Sequence, residues 1–395
     1  MVRSPALRAA MTALATFAVP VITGCTEPVV PIGETSPPGS LSHPAFAQSV
    51  GTGVTMTDVG TLSYQSYAKD INDAGVVVGW SESKSYQDAA WAWTPTSARA
   101  TTGTLWALPT LGGCCSSAIA VNSLQIAGAA TDAAGVSHDV FWTISGAISE
   151  RLTTNAVACA PLDMNDGGQL AGSAYVGGVH YACIWTPDAP NGSTGSTRVL
   201  PLPAGASSAI GHGLNSRGDV VGQITLTISG DQHAYVWWSD GTTLDLGTLP
   251  GGRFALAKDL NDSGEIVGDS YEAISGQQWW RAFVWTAQGG LRDLGAIGPS
   301  SYAYDINNVV NGVSQVVGET DVSSKAMDYD AALWTITHDG SGAVTGVTLR
   351  DLGRPKASLR AEAYALSSNI GGVVQAAGVS VSTSLVNKGT LWTVR

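Results

Sequence analysis

Charge is what this 395-residue chain has least of: 13% of its residues are Asp, Glu, Lys or Arg, with 19 basic against 31 acidic side chains. At a net charge of −12 it lacks the basic surface that neutralises phosphates, which excludes a nucleic-acid binder. Intrinsic disorder is excluded as well, because the low charge comes with 13 tryptophans. After residue 25 there is no run of eighteen apolar residues, so no later helix is expected to span a membrane. There is no Gly-x-Ser-x-Gly elbow, Cys-x-x-Cys pair or phosphate-binding glycine loop either. What the chain does have is 48 glycines with abundant Thr, Val and Trp, the composition of many short strands joined by tight turns.

The N-terminus reads as an address. Arg3 and Arg8 precede an apolar stretch, residues 9–22, that is too short to cross a bilayer but suits a secretory signal. It ends in Val21-Ile22-Thr23-Gly24-Cys25, which resembles the lipobox of bacterial lipoproteins. That resemblance implies cleavage before Cys25 and acylation of Cys25, and several acyl chains, at about 0.8 kcal/mol per buried methylene, anchor a protein stably. Residues 1–24 are then a signal peptide. Residues 25–51 combine the lipidated cysteine with a tether rich in Pro, Ser and Thr, whose prolines at 28, 31, 37, 38 and 44 favour extended, solvated backbone. The expectation is an exported protein of the bacterial cell envelope, held through its lipid anchor at the outer membrane or cell surface. Thr26, rather than Asp, after the cysteine is compatible with outer-membrane sorting.

Residues 52–395 are dominated by self-similarity. One unit reads Leu244-Asp245-Leu246-Gly247-Thr248-Leu249, then Asp259-Leu260-Asn261-Asp262-Ser263-Gly264, then Ile266-Val267-Gly268, then Phe283-Val284-Trp285. The turn Asn recurs at 72, 122, 165, 215, 261 and 307, with Ser367 in the seventh copy, and the closing Trp at 93, 142, 185, 237, 285, 334 and 392. Alternating runs such as His233-Ala234-Tyr235-Val236-Trp237 are strands, and Asn-x-x-Gly pieces are turns. Four strands repeated seven times at around fifty residues predict an all-β fold, a seven-bladed β-propeller of four-stranded antiparallel blades. The chain begins its repeats with an outer-type strand, Thr57-Asp58-Val59-Gly60, and stops after Trp392 without one. The N-terminal strand is therefore expected to complete the last blade and close the ring, which removes an exposed edge.

These segments resemble the HAF repeat of extracellular bacterial proteins, and the resemblance covers nearly everything after residue 55. It implies secretion and a propeller, and no particular activity.

Candidate site residues follow from the expected register. The loops after the Val-Val-Gly strands and the Leu-Gly-Gly loops should share one face, presenting Trp80, Glu82, Arg253, Asp269, Glu272, Trp279, Glu319 and Asp321. Aromatic rings beside carboxylates and an Arg suit a sugar or peptide. Asp70-Ile71-Asn72-Asp73-Ala74-Gly75 resembles the calcium loops of integrin-type propellers, but Ala74 replaces the third oxygen ligand, so no metal site is assigned and calcium is the only cofactor the pattern suggests. His138 and His233 share a strand position, which reads as structural. Cys114, Cys115, Cys159 and Cys183 allow three full pairings; a Cys115–Cys159 bridge between neighbouring blades and a vicinal Cys114–Cys115 ring are the rivals considered. Two functions remain. One is a monomeric binding or scaffold module for a surface glycan, peptide or protein. The other is a glycan hydrolase or lyase using acidic loop residues, which should concentrate its departures at one place in the channel, whereas similar loops all round suit multivalent binding.

Overall fold

A computed structural model describes residues 48–49, 53–155, 157–323 and 328–395. Cys25 and nearly all of the tether lie outside those residues. Seven sheets follow one another around a ring, antiparallel throughout except where Leu152–Thr153 pairs parallel with Thr194–Val199 at the edge of one, and no helix occurs among the described residues. The innermost strands are Gln65–Ile71, Gly112–Val121, Ala160–Met164, Ala206–Leu214, Ala255–Leu260, Ser301–Ile306 and Ser358–Leu366, numbered here as blades 1 to 7. Outward from strand a in blades 1 to 7 lie strand b (Val77–Glu82, Gln125–Asp132, Leu170–Val176, Val220–Leu226, Ile266–Ile274, Val313–Asp321 and Val374–Ser382), strand c (Asp88–Pro95, Ser137–Thr143, Val179–Pro187, Gln232–Trp237, Gln277–Thr286, Tyr329–His338 and Asn387–Val394) and strand d, which follows c along the chain in blades 1 to 6. A seven-bladed propeller is thus the fold.

Strand d of blade 7 is Val54–Gly60, which pairs antiparallel with Asn387–Val394 and sets Met56 opposite Trp392. The ring closes as expected from the phase of the repeats. Seven separate apolar layers fill the gaps between successive blades, blade 7 to blade 1 included. Six of the seven repeat tryptophans are buried in these layers, while Trp285 is half-buried against Trp238.

A single steric device explains most of the motif. Every strand a carries a β-bulge at the residue between a small residue and the Asp position: Lys69, Ile119, Leu162, His212, Lys258, Tyr304 and Tyr364. A bulge re-aims its side chain, and these seven point to the ring axis. Opposite each bulge stands the glycine of the Val-Val-Gly strand. A Cβ on Gly79 or Gly318 would lie 1.8 Å from the carbonyl oxygen of Tyr67 or Tyr302, and the other five blades repeat the conflict at 1.9–2.1 Å. Only glycine fits there.

Strand a ends in the asparagine turn. Asn72 Oδ1 accepts from the backbone N–H groups of Ala74 and Val76, closing its own turn, while its Nδ2 donates to the carbonyl of Asn122 in the next blade. Asn122, Asn165, Asn215, Asn261 and Asn307 each donate onward in the same way. Ser367 is too short to continue the chain. Across that seam Arg99 of blade 1 donates instead to the carbonyls of Ser368, Val373 and Asp73.

The cysteines pair within blades: Cys114 with Cys115, and Cys159 with Cys183. The Cys115–Cys159 bridge between blades is therefore not formed. Cys159 directly precedes strand a of blade 3 and Cys183 lies on strand c of that blade, with their Cα atoms 6.0 Å apart, so the shorter link is available inside the sheet. His233 meets Asp245, and His138 sits between Asp132 and Glu150, on the strands of their own blades.

Candidate functional site

The seven inner strands enclose a cavity of ≈ 450 Å³, running from the asparagine turns inward to the bulge side chains. That size suits a small ligand. Its wall carries Asp70, Asp163, Asp259 and Asp305. Each is a strap between blades: Asp70 accepts from the N–H of Val121, Asp163 from Leu214, Asp259 from Ile306 and Asp305 from Leu366, at 2.5–3.0 Å. Burial pushes all four carboxyls up, Asp163 to about 6, and Asp259 and Asp305 share a hydrogen bond. The wall is consequently less negative than four ionised aspartates would make it. With Asp70 and Asn72 occupied by backbone donors, the calcium-like loop has no free ligand set. Among the described residues no group of three His, Cys, Asp or Glu is arranged to hold a metal.

The bulge side chains divide the ring in two. In blades 2 and 3 they are Ile119 and Leu162. In blades 1, 7, 6 and 5 they form a continuous ladder: Lys69 Nζ lies 4.7 Å from the centre of the Tyr364 ring, Tyr364 meets Tyr304 edge-on at 5.3 Å, and Lys258 Nζ lies 5.2 Å from Tyr304. His212 of blade 4 follows, pushed down to about 3 mainly by burial, so its imidazole is neutral. Behind the ladder the Glu362 carboxylate accepts hydrogen bonds from the hydroxyls of Tyr329 and Tyr364. Burial, reinforced by the nearby carboxylates, raises both phenols above their ordinary range, so they stay protonated.

The residues expected from sequence are spread over this geometry. Trp80 is half-buried on strand b of blade 1, stacked on Tyr67 at 5.4 Å with Lys69 Nζ 5.5 Å from its ring. Asp269 and Glu319 are 3% and 4% exposed, inside blades 5 and 6 rather than on loops; Asp269 sits 3.8 Å from Lys258 and Glu319 acts electrostatically on Tyr304. The residue after the Val-Val-Gly glycine is still within strand b, which is why both were misplaced. Glu272 and Trp279 are cross-strand partners at the outer-face end of blade 5, and Arg253 there is an exposed partner of Asp231 at 2.7 Å. The structure brings Trp80, Asp269 and Glu319 towards the ladder and leaves Arg253, Glu272 and Trp279 at the rim. Sequence reasoning missed Lys69, Lys258, Tyr304 and Tyr364. Their signal was the middle of Ala-x-Asp, the inner-strand position that changes chemical type from copy to copy.

Fold and site together define a propeller with a one-sided polar and aromatic channel. No family model matches the chain, and no curated relative does. Solved structures similar to it include a Trypanosoma rangeli sialidase in complex with the inhibitor DANA, at 12% identity and a TM-score of 0.39, covering 88% of this chain and 57% of that one. The BP39L lectin from Burkholderia pseudomallei is similar at 11% identity and a TM-score of 0.42, covering 85% and 97%. A putative TolB from Agrobacterium tumefaciens has 12% identity and a TM-score of 0.35, covering 69% and 87%. The chain spans little more than half the length of the sialidase.

Proposed function

We propose that this is an exported, lipid-anchored propeller of the bacterial envelope that binds one small ligand group, the end of a surface glycan or peptide, in its central channel. The lysine–tyrosine ladder is the observation that carries this reading. Seven similar loops would suit multivalent binding, yet the chemical departures from the repeat cluster on four neighbouring blades around one cavity. Binding rather than turnover is favoured by how the acids are used: the four channel aspartates hold backbone N–H groups of the next blade, and Glu362 holds two phenols.

A glycan hydrolase or lyase is the second reading, and the clustering itself favours it, because Glu362 beside two tyrosine hydroxyls places a base next to possible proton donors. A glycan array probed with the protein purified from membranes tests both. Retention of a glycan without change supports binding, release of product supports the enzyme, and no retention of any glycan or peptide overturns the channel reading. The anchor rests on the lipobox-like residues that end in Cys25. Replacing Cys25 by Ala should shift the protein from the membrane to the soluble fraction.

A further inference from the structure

Of the two lysines on the ladder, one is matched and one is not. Lys258 has Asp269 at 3.8 Å. Lys69 faces the rings of Tyr364 and Trp80, and among the described residues no carboxylate approaches it as an ion pair. The two carboxylates that act on it electrostatically are already engaged, Glu362 by Tyr329, Tyr364 and Arg360 and Asp70 by the backbone N–H groups of Ile71 and Val121. Burial lowers the affinity of Lys69 for its proton and Lys258 adds to this, against the opposing pull of Glu362 and Asp70. Desolvating an ammonium without a partner is costly, and aromatic faces return only part of that cost.

We infer that Lys69 is the carboxylate-binding point of a subsite for an acidic sugar, whose ring would rest on Tyr364 and Tyr304. This rests on the channel-binding reading above and names its ligand class. A sugar fits the wall better than an extended peptide. A peptide would bind by pairing with the inner edges of strands a, but the edge donors of Val121, Leu214, Ile306 and Leu366 are already taken by the aspartates of the preceding blades. What remains in the cavity is side-chain chemistry: two phenol rings, a neutral imidazole and an ammonium.

The test is titration calorimetry on the full-length protein in detergent with galacturonate and glucuronate, their uncharged amides, the parent neutral sugars and a short peptide with a free C-terminal carboxylate. The acids should bind at least tenfold more tightly than their amides. Lys69→Met should abolish that preference and leave melting unchanged or raised, since it removes a half-buried charge with no ion-pair partner among the described residues. Equal binding of acid and amide to the unmodified protein overturns the inference whether or not the variant folds, and so does a variant that keeps the preference. Neutral sugars bound without preference for acid would remove this inference alone; a preference for the peptide would replace the ligand class; failure of every probe would remove the channel reading with it.

Discussion

Blades 2 and 3 and the arc formed by blades 5, 6, 7 and 1 are built alike and equipped differently. Both have the bulge, the obligatory glycine opposite it and inward-facing bulge side chains. In the quiet arc those side chains are Ile119 and Leu162; in the other they are Lys69, Tyr364, Tyr304 and Lys258. The ring therefore depends on what surrounds the bulge: the glycine opposite it, the Asp that follows it in four blades and the turn Asn beyond, the last two reaching the next blade. It does not depend on the bulge residue. That one position is free of architectural duty, and function can change there without disturbing the fold.

The comparison can be broken most severely at the closure both arcs share. Deleting residues 53–60 removes the buried side chains of Val54, Met56 and Val59 and exposes the edge of blade 7, a loss on the order of 5 kcal/mol or more; an unchanged melting transition would refute the closure. Next, Gly128→Ala in the quiet arc and Gly318→Ala in the equipped arc should destabilise alike, by about 3 kcal/mol each, because both meet a backbone carbonyl. Denaturant unfolding checks this, and a large difference between them would mean the arcs are not built alike. Ligand affinity should separate what stability does not. Tyr364→Ala should weaken binding at least tenfold, whereas Leu162→Ala should leave it within about twofold, as measured by calorimetry.

The smallest effect belongs to both arcs at once. Asp163 in blade 3 and Asp269 in blade 5 are each raised to about 6, mainly by burial. The folded protein holds these protons more tightly than the unfolded chain, where such carboxyls titrate near 4. Stability should thus increase as pH falls from 7 towards 5, being fully present below about 4 and lost as pH rises through about 6. Thermal melts across that range should show the slope, and Asp163→Asn and Asp269→Asn should each flatten it.

Repetition made the architecture legible in the sequence: seven copies of one unit, and an outer strand at the start of the repeats to complete the last. The Asx turn at Asn72 was visible for the same reason, being local. Contacts between repeats were not. The reach of Asp70 to Val121, or of Asn72 to Asn122, spans 50 residues or so and depends on how neighbouring blades are rotated. The cysteine pairing was hidden because it depends on sheet register, and Asp269 was placed on a loop because strand b runs further than its motif. The ladder escaped notice for a different reason. A search for shared residues passes over the position where the copies disagree.

The end of the closing strand fixes how the disc is presented. The carbonyl of Gly53 accepts from the N–H of Arg395 at 2.8 Å, where strand c ends. Arg99 shows that the loops after strand c lie beside the asparagine turns, since it reaches the carbonyls of Asp73 and Ser368. The closing strand begins on the asparagine-turn face, but Gln48–Ser49 pairs antiparallel with its outer edge, Gln48 opposite Met56, so the chain before it comes down along the rim of blade 7. If Cys25 is acylated as proposed, the tether joins the disc at the rim of blade 7 rather than beneath the mouth of the cavity. Fully extended, residues 25–47 reach at most about 80 Å, which sets how far from the lipid the disc can stand.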